Sequence, residues 1–337
     1  MRSPSISIYF IQACLKNLSH RPDTQRELLA KNHISPAILQ STTARVPAEN
    51  YADLLRDTMQ EMDDELMGYG SLPQKLGCWS TMVELAANSA NLGEGLKKLT
   101  RFYRLVPWGL ETRLNTDNNG NAYVSLSHSN DAHGRRQFDP YLYESFLFYI
   151  HRTANWLIGR QIPLHAVDFC FAETQHRAVY WDMYFCKDIY FQQPLSQLRF
   201  SASMLELPVA KSAQAISAFL IHVNQAMITQ IYAQKSWHYK VSTRLESQLS
   251  DNPSFSDFAK GFNIHPHTLR SYLRDEGFQY QDIKDRVRRD SAIFYLSSRG
   301  KSVEETAALT GFSEASAFIR AFKKWTGNTP IHYKRKS

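Results

Sequence analysis

Hydrophobic positions repeat at helical spacing through most of the first hundred residues. Tyr51, Leu54, Leu55, Met59 and Met62 form one stripe, and Leu85, Leu92, Leu96 and Leu99 mark another helix running over 82–103. The period then changes. Runs at 110–115 and 122–128 flank Asp117-Asn118-Asn119-Gly120, a hairpin signal because Asn-Gly favours the turn that matches strand twist. Asp139-Pro140 reads as an N-cap followed by proline at the first helical position, opening an aromatic-rich helix to about Ile158. Strand-like runs at 166–171 and 188–191 bracket a helical stretch at 176–185, and residues 203–207 end that region. Residues 212–234 predict one long amphipathic helix, with Ile216, Phe219, Leu220, Val223, Met227 and Ile231 on its stripe.

The last 85 residues hold a weak internal repeat. In the first copy Phe255, Phe258, Ala259 and Phe262 are spaced i, i+3, i+4, i+7, with Ser254 as N-cap and Asp257 at the reciprocal position. Asn263 supplies a residue tolerant of positive φ. His265-Pro266 opens a second helix whose buried stripe is Leu269, Tyr272 and Leu273. In the second copy Ser302-Val303-Glu304-Glu305 is a capping box, Gly311 stands where Asn263 stood, and Ser313 is placed to cap the next helix. Phe318, Ala321, Phe322 and Trp325 repeat the buried stripe. A small residue facing the partner helix, then a positive-φ residue, is what a tight helix-turn-helix needs.

The whole is an α+β chain. It divides into an amino-terminal mixed body at 1–205, for which the resemblance described below implies effector binding and dimerisation, a linker helix at 206–238 and an all-helical domain at 239–337. The helix-turn-helix units fall at about 254–276 and 302–325. Their free faces carry His267, Thr268, Arg270, Ser271 and Arg274 in the first, and Ala315, Ser316, Ile319, Arg320 and Lys323 in the second. Those positions reach base edges when such a helix enters the major groove, and arginine is the natural bidentate donor to guanine. A connecting helix at 280–297 would be about 27 Å long at ~1.5 Å per residue. Successive groove entries on one face of B-DNA lie ~34 Å apart. Its Arg286, Arg288 and Arg289 read either as phosphate contacts or as partners for Asp282, Asp285 and Asp290.

Charge supports a polyanion partner. Residues 240–337 hold 17 Lys and Arg against 11 Asp and Glu, which is most of the chain's net +7. The 337 residues are 43% hydrophobic and 21% charged, which suits a folded chain of two domains. No apolar run nears the ~20 residues needed to span a bilayer, and no leader cleavage site follows the first apolar stretch. Cys14, Cys78, Cys170 and Cys186 lack the CxxC spacing of zinc or redox sites, so reduced thiols in a cytoplasmic protein are expected. His265-Pro266-His267 reads as a cap and a DNA-facing residue rather than a metal pair. No GxSxG, HExxH, P-loop or GxGxxG occurs, so no catalytic residue, metal or cofactor is expected.

The run from Lys301 to Pro330 closely resembles the signature of the AraC/XylS family of bacterial transcription regulators. Gly311-Phe312, Phe318, Arg320-Ala321-Phe322-Lys323, Gly327 and Pro330 stand where that pattern has them. The resemblance implies base contacts from His267, Arg270, Ser271, Ala315, Ser316 and Arg320, although Ala315 and Ser316 are too short for long bidentate contacts. Asn91 to Leu105, His176 to Tyr180 and Phe200 to Leu205 look like an arabinose-binding-type regulatory domain. That likeness implies a small-molecule effector of unknown identity, double-stranded promoter DNA and RNA polymerase as partners, and a homodimer that activates transcription, with no membrane partner. Trp79, Arg104, Trp108, Tyr141 and Glu144 are the candidate effector contacts. The alternative is a ligand-independent DNA-binding regulator whose amino-terminal domain serves only dimerisation or protein contact.

Overall fold

The computed structural model describes residues 4–128, 138–174, 177–229, 237–276 and 278–334. It divides into two units, one of residues 1–54 with 233–337 and one of residues 55–232. The first 54 residues thus pack with the carboxy-terminal region, where the sequence reading had placed them in the amino-terminal body.

Strand β1 (Ser5–Ser7) pairs antiparallel with β2 (Arg45–Pro47), with helices α1 (Ile8–Lys16) and α2 (Pro22–Lys31) between them. Helix α3 (Ala48–Met62) follows and buries Leu54 and Leu55 on the expected stripe. The reason this segment belongs with the carboxy-terminal unit is polar as well as apolar. Ser5 Oγ donates to Asp290, Arg45 N donates to the Tyr333 hydroxyl at 3.1 Å, and Ser41 Oγ donates to the Thr326 carbonyl at 3.3 Å.

In the second unit the single helix expected over 82–103 is two, α4 (Cys78–Ala87) and α5 (Leu92–Leu105), because Asn91 caps a new helix by accepting from Glu94 N; they precede the hairpin of β3 (Leu110–Thr116) and β4 (Asn121–His128). The turn is as the sequence indicates. Gly120 sits at φ 78, and Asp117 Oδ1 accepts from Asn119 N and Asn121 N, both at 2.9 Å. Side-chain bonds from Asn121 and Tyr123, and then these backbone bonds, hold the Asp117 carboxyl well below the usual carboxylate range. Asp139 Oδ1 accepts from Tyr141 N at 2.9 Å and starts α6 (Pro140–Ile158), which is buried on nearly all sides. Then come β5 (Leu164–Asp168), α7 (Arg177–Tyr184), β6 (Ile189–Tyr190) and β7 (Ser196–Ser201). The five-stranded sheet has the order β3-β4-β7-β5-β6, antiparallel except for β5 with β6. Its central strand β7 escaped the sequence reading because its inward positions are Ser196, Leu198 and Phe200. The buried Ser196 hides the alternation while its Oγ accepts from Cys170 N at 3.0 Å.

The helix expected at 212–234 is broken at His222 into α8 (Ala213–Ile221) and α9 (Val223–Thr229). The break lets both pieces lie on α6. Phe219 stacks on Trp156 at 4.0 Å, and Met227 is fully buried with its Sδ against Thr153 Oγ1. Ile231 of the expected stripe and His176 lie outside the described residues.

Six helices complete the first unit: α10 (Trp237–Ser247), α11 (Phe255–Lys260), α12 (Pro266–Asp275), α13 (Tyr280–Ser297), α14 (Val303–Leu309) and α15 (Ala315–Thr326). Val241, Leu245, Phe258, Leu269, Leu273 and Ile283 form one core linking α10 to α13. The architecture is α+β, a mixed helix-and-sheet body with an all-helical helix-turn-helix region. Among the described residues no helix is long and apolar enough to cross a membrane. No two cysteines are joined, and Cys14 and Cys186 are buried.

Candidate functional site

Helices α11 and α12 form the first helix-turn-helix. Ser254 Oγ accepts from Asp257 N at 3.2 Å, but the Asp257 carboxylate takes the Ser254 hydroxyl at 2.6 Å, so the box is half-formed. Asn263 sits at φ 56, the left-handed turn expected of it. His265 caps α12 by accepting from His267 N at 3.2 Å, the role read for it in place of a metal ligand. Leu269 and Leu273 are buried. His267, Arg270 and Arg274 are exposed, with Thr268 and Ser271 half-buried between them. The Arg270 guanidinium lies 5.1 Å from the Phe255 ring centre, and Arg274 Nη2 donates to Ser271 Oγ at 3.2 Å. Tyr272, expected in the buried stripe, is instead 40% exposed. Its ring stacks on Trp237 of α10 at 4.9 Å, where one face stays open to water.

Helices α14 and α15 form the second. Here the capping box is complete: Glu305 N donates to Ser302 Oγ at 3.0 Å and Ser302 N donates to Glu305 Oε2 at 2.8 Å. Lys301 adds a 2.8 Å bond and holds the Glu305 carboxyl below its ordinary range. Gly311 turns at φ 76, and a Cβ there would meet the Leu249 carbonyl oxygen at 2.2 Å, so only glycine fits. The cap of α15 is Glu314, with no side-chain hydrogen bond, rather than Ser313. Phe318 and Phe322 are fully buried, and Ser316, Ile319, Arg320 and Lys323 are exposed, with Ala315 half-buried. Lys324, not singled out from sequence, is exposed beside them.

Two of the three α13 arginines are engaged by the protein itself. Arg288 Nη2 donates to the Gly311 carbonyl at 3.1 Å and to Asn252 Oδ1 at 2.9 Å, and its guanidinium lies 4.7 Å from the Phe312 ring centre. Arg289 is paired with Asp290 at 3.0 Å. Both act within the fold.

The second unit contains a cavity of about 220 Å³. Of the candidate effector residues, Trp79 and Tyr141 line it. Arg104 is exposed and does not. Trp108 is fully buried, and its indole N–H donates to Tyr103 O at 3.1 Å. Glu144 is also fully buried, and its Oε1 accepts from the Tyr180 hydroxyl at 2.6 Å. The structure adds lining residues that the sequence did not mark: Glu65 and Gln74 from the segment between α3 and α4, and Leu55 and Met59 from α3. Glu65 and Gln74 sit outside any periodic pattern, so nothing in the sequence pointed to them.

Two helix-turn-helix units with polar and basic free faces define a DNA-binding regulator. Residues 24–209 match the arabinose-binding domain of AraC transcription regulators, amino-terminal, and residues 258–336 match a helix-turn-helix domain. The chain belongs to the AraC family of transcription regulators. It is similar to the ornithine utilization regulator of Pseudomonas aeruginosa, 24% identical over 331 residues, covering 98% of this chain and 96% of that protein. It is also similar to the regulator VirS of Mycobacterium tuberculosis, 38% identical over 76 residues, 23% of this chain and 22% of that one. The crystal structure of the transcriptional regulator CdpR from Pseudomonas aeruginosa aligns over 92% of this chain and 96% of its own, with 18% identity and a TM-score of 0.33. The family is one of transcription regulators, not enzymes.

Proposed function

We propose that this regulator reads promoter DNA with α12 and α15, and that a small molecule in the second unit's cavity sets its activity. The observation that carries the reading is the shared design of the two recognition helices. Each buries its aromatic or aliphatic stripe and leaves arginine or lysine with short polar residues on the outer face. His267, Thr268, Arg270, Ser271 and Arg274 meet one groove; Ala315, Ser316, Ile319, Arg320 and Lys323 meet the next. Homodimerisation and contact with RNA polymerase complete the mechanism. Activation is the sign supported by similarity to CfaD of Escherichia coli, named as a transcriptional activator and 30% identical over 115 residues.

Binding-site selection with the full chain tests the DNA reading, and affinity should fall steeply with salt as phosphate contacts release counterions. Recovery of no preferred sequence would refute it. A thermal-shift screen of amino acids, polyamines, fatty acids and sugars tests effector control. A specific ligand at a hundred times Kd stabilises the native state by ~2.7 kcal/mol. Ser145→Phe, which fills the cavity, should abolish the response. A blank screen would favour ligand-independent regulation.

A further inference from the structure

Gln74 is 3% exposed and lines the cavity. Its Nε2 donates to Glu65 Oε2 at 3.0 Å, yet its Oε1 has no hydrogen-bond partner among the described residues. Reversing the amide would set carbonyl against carboxylate, so this orientation is the favourable one. The buried indole N–H of Trp79, in the same wall, is likewise unsatisfied. A buried polar atom left unpaired is destabilising. Two such atoms stand in one cavity wall.

Charge decides what kind. Glu65 accepts from Gly77 N at 2.7 Å, Trp79 N at 2.8 Å and Gln74. Burial still pushes its carboxyl above the ordinary value, so three donors do not replace the water it has lost. Arg56 is the one cationic side chain among the lining residues, and it is bonded to Asp57 at 3.2 Å. The rest of the wall is mostly aromatic and aliphatic, with Tyr103, Phe146 and Tyr149 around Trp79, and its other polar side chains, Gln60, Ser80, Ser145 and Asn224, are uncharged. Aromatic faces and a carboxylate attract a cation and repel an acid.

The geometry points to an organic amine as the effector. Its ammonium bonds Gln74 Oε1 and the Glu65 carboxylate, its short apolar body lies on the aromatic rings, and an acceptor on that body takes the Trp79 N–H. This assignment rests on the effector reading above and narrows it. The test compares n-hexylammonium, 1-hexanol and hexanoate, three ligands with one body, by thermal shift and tryptophan quenching of the full chain. The amine should bind at least tenfold more tightly than the alcohol, and hexanoate not at all. Glu65→Gln should weaken the amine at least tenfold and leave the alcohol unchanged. If that variant does not fold, the ranking on the wild-type chain decides alone. A preference for alcohol or acid, amine binding indifferent to Glu65→Gln, or no binding of any of the three would each overturn the assignment. A non-amine hit in the broad screen with no amine response overturns this inference and leaves effector control standing. Blanks in both remove both.

Discussion

The Arg288 guanidinium holds the Gly311 carbonyl at 3.1 Å, tying α13 to the turn of the second helix-turn-helix. The same nitrogen reaches Asn252, so one half-buried cation fixes three segments. Arg288→Met keeps the aliphatic stem and removes the charged donors. It should destabilise the chain by about 1.5–3 kcal/mol in urea unfolding, in the range for hydrogen bonds to charged groups. The salt slope of DNA binding should not change. A slope reduced by about 1 would reassign Arg288 to a phosphate.

Gly311 and Asn263 hold equivalent turns under different constraints. Gly311→Ala forces a side chain into the left-handed region, at ~1–2 kcal/mol, and drives its Cβ onto the Leu249 backbone oxygen. The loss should exceed about 2 kcal/mol, the upper end of the strain term, because the clash adds to it. Asn263→Gly should be nearly neutral by the same unfolding measurement, because glycine adopts φ 56 without strain. Equal losses at the two sites would contradict the close approach at Gly311.

What the sequence made legible was local. The hairpin at Gly120, the caps at Ser254, Ser302 and His265, and the turns at Asn263 and Gly311 each follow from a few neighbouring residues, and each is where the pattern put it. Long-range pairing was not legible. Strand β7 hides behind buried Ser196, and the join of residues 1–54 to α13 and Tyr333 rests on Ser5, Ser41 and Arg45, which no periodic pattern marks. The free faces of α12 and α15 were legible because a helical stripe fixes both sides of a helix. The cavity wall was not, because Glu65 and Gln74 are brought to it by a loop.

Tyr333 tests that long-range join. Its hydroxyl accepts from Arg45 N, and its ring packs edge-on against Phe322 at 5.0 Å. Tyr333→Phe keeps the ring and strands the amide, so about 1 kcal/mol of stability should go. An unchanged urea midpoint would mean that the join contributes nothing in solution.

His151 makes the second unit sensitive to acid. It is 3% exposed on α6, and its Nε2 lies 2.9 Å from the Ile162 carbonyl, which fixes the proton there. Burial lowers its pKa from 6.5 to about 4. The unfolded chain therefore binds a proton between pH 6.5 and 4 that the native state refuses. Stability from this residue is complete above pH 6.5 and falls as pH drops towards 4, by on the order of 3 kcal/mol. His151→Gln should flatten that part of the stability–pH curve. Parallel curves for both proteins would rule the histidine out.

Reading and positioning separate on the recognition helices. Arg270 leaves α12 on its free face, held over Phe255 and paired with no acid among the described residues, so its donors are available to a guanine edge. Arg270→Ala should cost ~1–3 kcal/mol on the selected site and relax preference at one base pair. Lys323 stands one turn beyond Arg320 on α15, exposed at its outer edge. Lys323→Ala should weaken selected and random duplexes alike and reduce the salt slope by ~1. Arg320→Ala should resemble Arg270→Ala, but with a smaller loss of preference. Its neighbours Ala315 and Ser316 are short, and Ser316 bonds back to Glu314 at 3.2 Å, so the start of α15 offers few long donors. Site selection on the three variants decides the matter. If Arg270→Ala lowers affinity while keeping the wild-type preference at every position, α12 does not read bases through that side chain.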